Sequence, residues 1–150
     1  LFLIKVLKGL NLPVKLILCG EGPLKTKLEK YAIVHPPVFG NQKQQLYNQA
    51  DIFVHPSLHE GLPLVVLEAM ACGLPVVISD GFSAAQVVDH GKTGYIAKMN
   101  DVSDWAEKIT RLLKGYKLRQ RLGRAARAKQ QRHFSWSRAT QEHLRLFKSI

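Results

Sequence analysis

The sequence predicts an α/β domain, a doubly wound parallel sheet with helices on both faces. Three observations carry that expectation. Short, continuously apolar, β-rich runs alternate with helix-forming segments from residue 14 to residue 96. Most of these runs are closed by glycine or proline. The chain has 150 residues, 46% of them hydrophobic, enough for one real core and too few for two full domains. Continuous apolar strands separated by helices mean a parallel sheet covered on both sides, the Rossmann-like arrangement.

Taken in order, residues 14–19 (VKLILC) are an apolar strand ended by Gly20, and 24–32 read as a helix. Val38, Phe39 and Gly40 look like the end of a second short strand. Residues 42–50 are a helix, and 52–55 a strand stopped by Pro56. Residues 63–72 are helical, with Pro63 suited to the first helical position and Gly73 ending the helix. Residues 75–79 (PVVIS) are a buried strand, 84–89 a short helix and 94–97 the last strand. Three helices follow, at 102–113, 118–131 and 136–147. A sheet of this kind binds ligands outside the carboxyl ends of its strands. The turns at 20–23, after 40, at 56–63 and at 79–84 are therefore the places to look.

The net charge of +11 is unevenly spread. Residues 1–100 carry nine Lys and Arg against seven Asp and Glu, whereas 101–150 carry thirteen against four. Such a block suits an anionic partner, a nucleic acid or a lipid surface, or is simply a solvated helix face; without interleaved aromatics the solvated face is favoured. Cys19 and Cys72 form no CxxC and behave by default as small buried apolar residues of a reducing, cytoplasmic compartment. No apolar run is long enough to span a membrane, and the first twelve residues, broken by Lys5 and Lys8, make a poor signal peptide.

The chemistry concentrates in His55-Pro-Ser-Leu-His-Glu-Gly-Leu-Pro-Leu-Val-Val-Leu-Glu-Ala-Met-Ala-Cys-Gly. The helix within it is apolar almost all round and is expected to be buried. Its one charged residue is Glu68, and a buried carboxylate requires partners. No Lys or Arg occurs from Gln44 to Gly91. Backbone amides, a distant side chain or a ligand must therefore serve. The two adjacent hydroxyls of a ribose would suit a carboxylate, and a tie between the helix and a loop would suit it equally. Ahead of the helix, Gly61 permits close backbone approach and the amides of Leu64, Val65 and Val66 face any ligand there, as at a phosphate site. Glu60 could accept from sugar hydroxyls, or simply favour the helix N-terminus. His55 and His59 are spaced i,i+4, but Pro56 keeps them off a shared helix face, so no metal site is expected.

Glu60 and Glu68 resemble the Glu–x(7)–Glu motif of retaining glycosyltransferases of family 4, and EGLPLVVLEAMACGLPVV resembles that family's signature. Gly20-Glu21-Gly22-Pro23 is similar to its glycine-rich turn, and Val38-Phe39-Gly40 to its next strand end. The run Ala50-Asp51-Ile52-Phe53-Val54 with Pro56-Ser57 is similar to its following strand. Gly91-Lys92-Thr93-Gly94-Tyr95 matches a turn loosely, and Leu122-Gly123-Arg124-Ala125-Ala126-Arg127 and Phe134-Ser135-Trp136 match late helices. The matches run in the family's order over most of the chain.

The resemblance implies the C-terminal, donor-binding half of a GT-B enzyme, in which two Rossmann-like domains flank a cleft. Glu68 would hold the ribose and Glu60, the catalytic candidate, would contact the donor sugar. Gly61, Leu62, Pro63, Leu64 and Val65 would lie against sugar and diphosphate, with Gly20, Val38, Phe39 and Gly40 near the nucleotide's base. The donor would be UDP- or GDP-linked, and transfer would retain anomeric configuration without a metal or other cofactor. The family's N-terminal half and its first C-terminal-domain strand, with an Arg and a Lys for the diphosphate, have no counterpart here, so this chain alone is not expected to transfer sugar. Phe82, Ser83 and Gln86 stand where the family shows Gly-Gly and Glu. Arg119, Arg121, Arg124 and Arg127 fall on helices that are commonly basic in the family. Trp136 and Phe134 are expected to anchor the last helix on the sheet. The alternatives are a non-catalytic nucleotide-sugar-binding or scaffold subunit and a basic module for anionic membrane surfaces; nucleic acid is the poorest partner.

Overall fold

The computed structural model describes residues 1–150 except 11, 58–60, 82, 83, 149 and 150. Its elements, in chain order, are α1 (Phe2–Lys8), β1 (Ile17–Cys19), α2 (Lys25–Leu28), β2 (Ile33–His35), α3 (Gly40–Gln49), β3 (Phe53–His55), α4 (Leu64–Ala71), β4 (Val76–Ser79), α5 (Ala84–Val87), β5 (Gly94–Ala97), α6 (Val102–Lys114), α7 (Tyr116–His133) and α8 (Trp136–Lys148). Every strand pair is parallel. The strands form two sheets, β1-β2 and β3-β4-β5. The expected single sheet is thus divided between β1 and β3, because among the described residues no strand pairs with the second edge of either.

β4 shows why helices cover both faces. Its four residues are all buried, and alternate side chains point to opposite sides. Val76 and Ile78 join one core with Val66, Leu67 and Met70 of α4 and Val87 of α5. Val77 joins the other with Val6 of α1, Tyr95 of β5 and Trp105, Ile109 and Leu112 of α6. α7 crosses the boundary, giving Leu122 to the second core and Ala126 to the first.

Local chemistry sets the boundaries. α6 starts where the Asp101 carboxylate accepts from the Asp104 amide at 3.0 Å, an ordinary N-cap. α4 ends in a Schellman turn: Gly73 N donates to Met70 O at 2.9 Å and Leu74 N to Ala69 O at 3.1 Å. Gly73 takes φ +78 to close it. Three expectations need correction here. Val38, Phe39 and Gly40 are not a strand end: β2 stops at His35 because Pro36 and Pro37 cannot donate to a ladder, and Gly40, at φ +52, already opens α3. Pro63 sits one position before the first helical residue of α4. Cys19 is exposed rather than buried, at the end of a thin two-stranded sheet.

The two tryptophans differ. Trp105 is 0% exposed, edge-on to Phe2 at 5.7 Å, and donates from Nε1 to Lys98 O at 3.1 Å. Trp136 is 84% exposed, on a helix with no buried residue. The expectation that it anchors α8 on the sheet is therefore wrong; only Phe134, half-buried against the first core, packs that way. Trp136→Ser should leave urea-unfolding stability within about 0.5 kcal/mol of the parent, as surface changes do. Trp105→Ala should cost about 3–5 kcal/mol in the same measurement.

Candidate functional site

α3 follows β2 and α4 follows β3, so both helices begin at the carboxyl ends of parallel strands. Glu68 lies on the second turn of α4, and α3 meets it there. Lys43 Nζ donates to Glu68 Oε1 at 2.7 Å, and the Tyr47 hydroxyl donates to Glu68 Oε2 at 2.9 Å. The same hydroxyl lies 3.3 Å from the Val65 carbonyl, a second acceptor on the first turn of α4. Each oxygen of the carboxylate therefore has its own donor from one helix.

Neither donor was legible from the run around Glu68. The cation-free stretch begins at Gln44, and the cation that pairs with Glu68 is Lys43, one residue outside it. The i,i+4 spacing of Lys43 and Tyr47 is the signal that could have found them, since it sets both on one helix face. The Tyr47 ring packs, partly buried, against the first core, 5.8 Å from the ring of Phe53. Burial pushes its phenol well above the usual tyrosine range, and the bond to Glu68 adds to the shift. The Glu68 side chain is 37% exposed and that of Lys43 35%. The pair is half-open to water, so its net contribution to stability is small, and the carboxylate is reachable.

α4 is not buried all round, as its composition suggested. From its third residue on it is buried through Val66, Leu67, Ala69 and Met70, but Leu64 is 58% exposed and Val65 39%. Leu62 and Phe39, in the approaches to α4 and α3, are also exposed. Four apolar side chains thus border the two helix starts in contact with water. Of the three amides expected to face a ligand, that of Val66 is taken by the Pro63 carbonyl at 3.0 Å. Those of Leu64 and Val65 are the ones the expectation still concerns. Gly61 is exposed. Glu60, the catalytic candidate, lies outside the described residues, as do His59, Phe82 and Ser83.

Gly20 follows β1 with φ +140, which only glycine adopts readily, and its amide donates to His35 O at 3.0 Å. Its loop is thereby tied to the end of β2, at the carboxyl edge of the small sheet. At the edge of the larger sheet a shallow cleft is lined by Phe2, Pro56, Ser79, Met99, Asn100 and Trp105. There the Ser79 hydroxyl donates to the Ser57 carbonyl and the Asp80 carboxylate accepts from Met99 N at 2.7 Å. Among the described residues no three His, Cys, Asp or Glu side chains cluster as a metal site would require.

The basic segment is largely a helix face in water. Arg121, Arg124 and Arg127 of α7 are exposed. Arg119 instead has structural work. It donates to the Leu112 and Leu113 carbonyls at 2.8 Å, closing the end of α6, and lies 3.3 Å from Asp51.

Parallel strands with helices on both faces define a Rossmann-like α/β domain, and the overall fold matches that of GT-B glycosyltransferases. Sucrose-phosphate synthase from Thermosynechococcus elongatus superposes with a TM-score of 0.86 at 24% identity, over 99% of this chain and 42% of that one. The Anabaena protein HepE, solved in complex with UDP and glucose, superposes with a TM-score of 0.84 at 23% identity, over 99% of this chain and 44% of its own. The chain belongs to the glycosyl transferases group 1, whose family model matches residues 2–129. It is 39% identical over 129 residues to the sulfoquinovosyl transferase SQD2 of Arabidopsis thaliana, covering 81% of this chain and 25% of that protein. It is 36% identical over 113 residues to the D-inositol 3-phosphate glycosyltransferase of Saccharomonospora viridis, covering 75% and 26%. The chain thus spans about a quarter of the length of these two relatives. Among the described residues no helix is long and apolar enough to cross a membrane.

Proposed function

We propose that this chain is the donor-binding part of a retaining glycosyltransferase of family 4, with Glu68 as the residue that holds the ribose of a nucleotide sugar. The observation that supports it is the carboxylate itself: acidic, accessible, and held by two donors between helices that start at the carboxyl ends of the strands. That is where open parallel sheets take ligands. The diphosphate would lie against the start of α4, near the Leu64 and Val65 amides, where the helix dipole favours negative charge. The donor sugar would reach Glu60 and Gly61. Gly20, Val38, Phe39 and Gly40 would lie near the nucleotide's base, and the exposed Leu62, Leu64 and Phe39 would be covered by the donor or by the facing domain.

In this reading the helix termini and basic groups, not a metal, meet the charge of the leaving diphosphate. The donor is UDP- or GDP-linked, with HepE, a fold relative solved with UDP and glucose, favouring UDP. Acceptor contacts fall to sequence beyond these 150 residues, and a further parallel strand would join the open edges of β1 and β3 into one sheet. Calorimetric titration with UDP, GDP, ADP and their sugar conjugates tests the reading. Selective binding of one nucleotide is expected; indifference to all of them at millimolar concentration would refute it.

A second contact surface is favoured by α8. Trp136, Leu144, Leu146 and Phe147 are exposed on it, and it follows the basic α7 in the chain. This combination suits an anionic membrane face. Flotation with phosphatidylglycerol vesicles should carry the chain, and Trp136→Ser with Phe147→Ser should abolish flotation. Equal flotation of parent and variant would remove α8 from the account.

A further inference from the structure

We infer that Lys43 and Tyr47 are positioning residues: together they hold the Glu68 carboxylate in one orientation and leave its remaining lone pairs to the two hydroxyls of a ribose. The inference rests on the reading of Glu68 as the ribose-binding residue and adds to it the device that prepares that residue.

An ionised carboxylate offers about four acceptor positions on its two oxygens. Lys43 takes one on Oε1 and Tyr47 one on Oε2, so about two remain. A cis-diol brings two donors. The division of labour between the partners is also unequal in a useful way. Tyr47 is the better held, because its partly buried ring packs against the first core beside Phe53 and its hydroxyl is placed between Glu68 and the Val65 carbonyl. Lys43 supplies the charge that keeps an acidic group at ease beside an apolar helix. Without them Glu68, half-exposed on α4, would sample several rotamers in water, and a ligand would have to order it on binding. Because both partners come from α3, the middle of α3 and the middle of α4 are set as a unit.

The alternative is that the two bonds merely tie α3 to α4. The readout that separates the cases is discrimination at the ribose. The nucleotide that binds best among UDP, GDP and ADP is compared with its 2′,3′-dideoxy form on the 150-residue chain, by calorimetry or chemical-shift titration. The parent should prefer the ribonucleotide by about a hundredfold, and Glu68→Gln should erase most of that. Tyr47→Phe and Lys43→Met should each cut the preference about tenfold. Affinity for the dideoxy form and the thermal midpoint should stay where they are. Lys43→Met leaves the core untouched, so it carries the test if Tyr47→Phe loosens the fold. If both variants keep the full preference while Glu68→Gln loses it, the positioning role is overturned and the ribose reading stands. If Glu68→Gln keeps the preference, or no nucleotide binds at millimolar concentration, the ribose reading falls and the positioning role with it.

Discussion

Glu68→Gln should weaken nucleotide binding by about tenfold to a hundredfold, the loss expected when hydrogen bonds to a charged group, about 1.5–3 kcal/mol in total, are replaced by weaker ones. Glutamine keeps the volume and one acceptor but loses the charge and one acceptor oxygen. Its amide nitrogen would also face either the Lys43 ammonium or the Tyr47 hydroxyl. With the ammonium, two donors would be left pointing at each other. The variant should nevertheless fold, because the side chain is 37% exposed and water can relieve the mismatch. The expected result is therefore specific: a thermal midpoint near that of the parent together with a clear loss of affinity in calorimetry. Unchanged affinity for every nucleotide would show that Glu68 is only a tie between α3 and α4.

How much of this was legible in the sequence depends on what each residue's neighbours are. β4 and β5 are read with nearly their observed bounds because they are buried apolar runs ended by turn residues. The close of α4 at Gly73 is legible for a similar reason, since a helix-ending glycine announces its left-handed φ. Val38, Phe39 and Gly40 mislead because an apolar pair before glycine looks the same whether it ends a strand or leads into a helix. Only the two prolines before them decide it. Trp136 misleads for another reason. Its helix has an apolar face, and amphipathicity says that such a face has a partner without saying that the partner is in the same chain.

The site was half legible. Glu68 stands out because a carboxylate in an apolar helix must be accounted for. Lys43 and Tyr47 do not stand out, because they lie 25 and 21 residues away and belong to a helix of polar composition with no buried residue. Contact across two helices is a property of how β2 and β3 space them, which no local pattern records. Together these residues make the site a joint between α3 and α4 rather than a feature of one motif. The packing that sets α4 in place therefore matters to the chemistry as much as the motif does.

Gly123→Ala tests that packing, and it should destabilise the fold by about 3 kcal/mol, the upper part of the range for overpacked cores. Two effects compete. Alanine in a helix interior is favoured over glycine by about 1 kcal/mol, and position 123 is inside α7. Against that, a Cβ at Gly123 would lie 2.0 Å from the Gly73 carbonyl oxygen and 3.0 Å from its carbon. Those are backbone atoms of the Schellman turn that ends α4, and Gly73 is already committed to φ +78, so the turn cannot easily give way. α7 must move instead, and it carries Leu122 and Ala126, both 0% exposed, one in each core. The steric cost should win by a wide margin. For a chain of this size the thermal midpoint should fall by roughly 6–12 °C. Arg124→Ala, at the next, exposed position of the same helix, should change stability by less than about 0.5 kcal/mol. A Gly123→Ala protein as stable as the parent would mean that α7 and α4 do not approach this closely. Because Glu68 lies on α4, the destabilised variant should also bind nucleotide more weakly than Arg124→Ala at temperatures well below its midpoint.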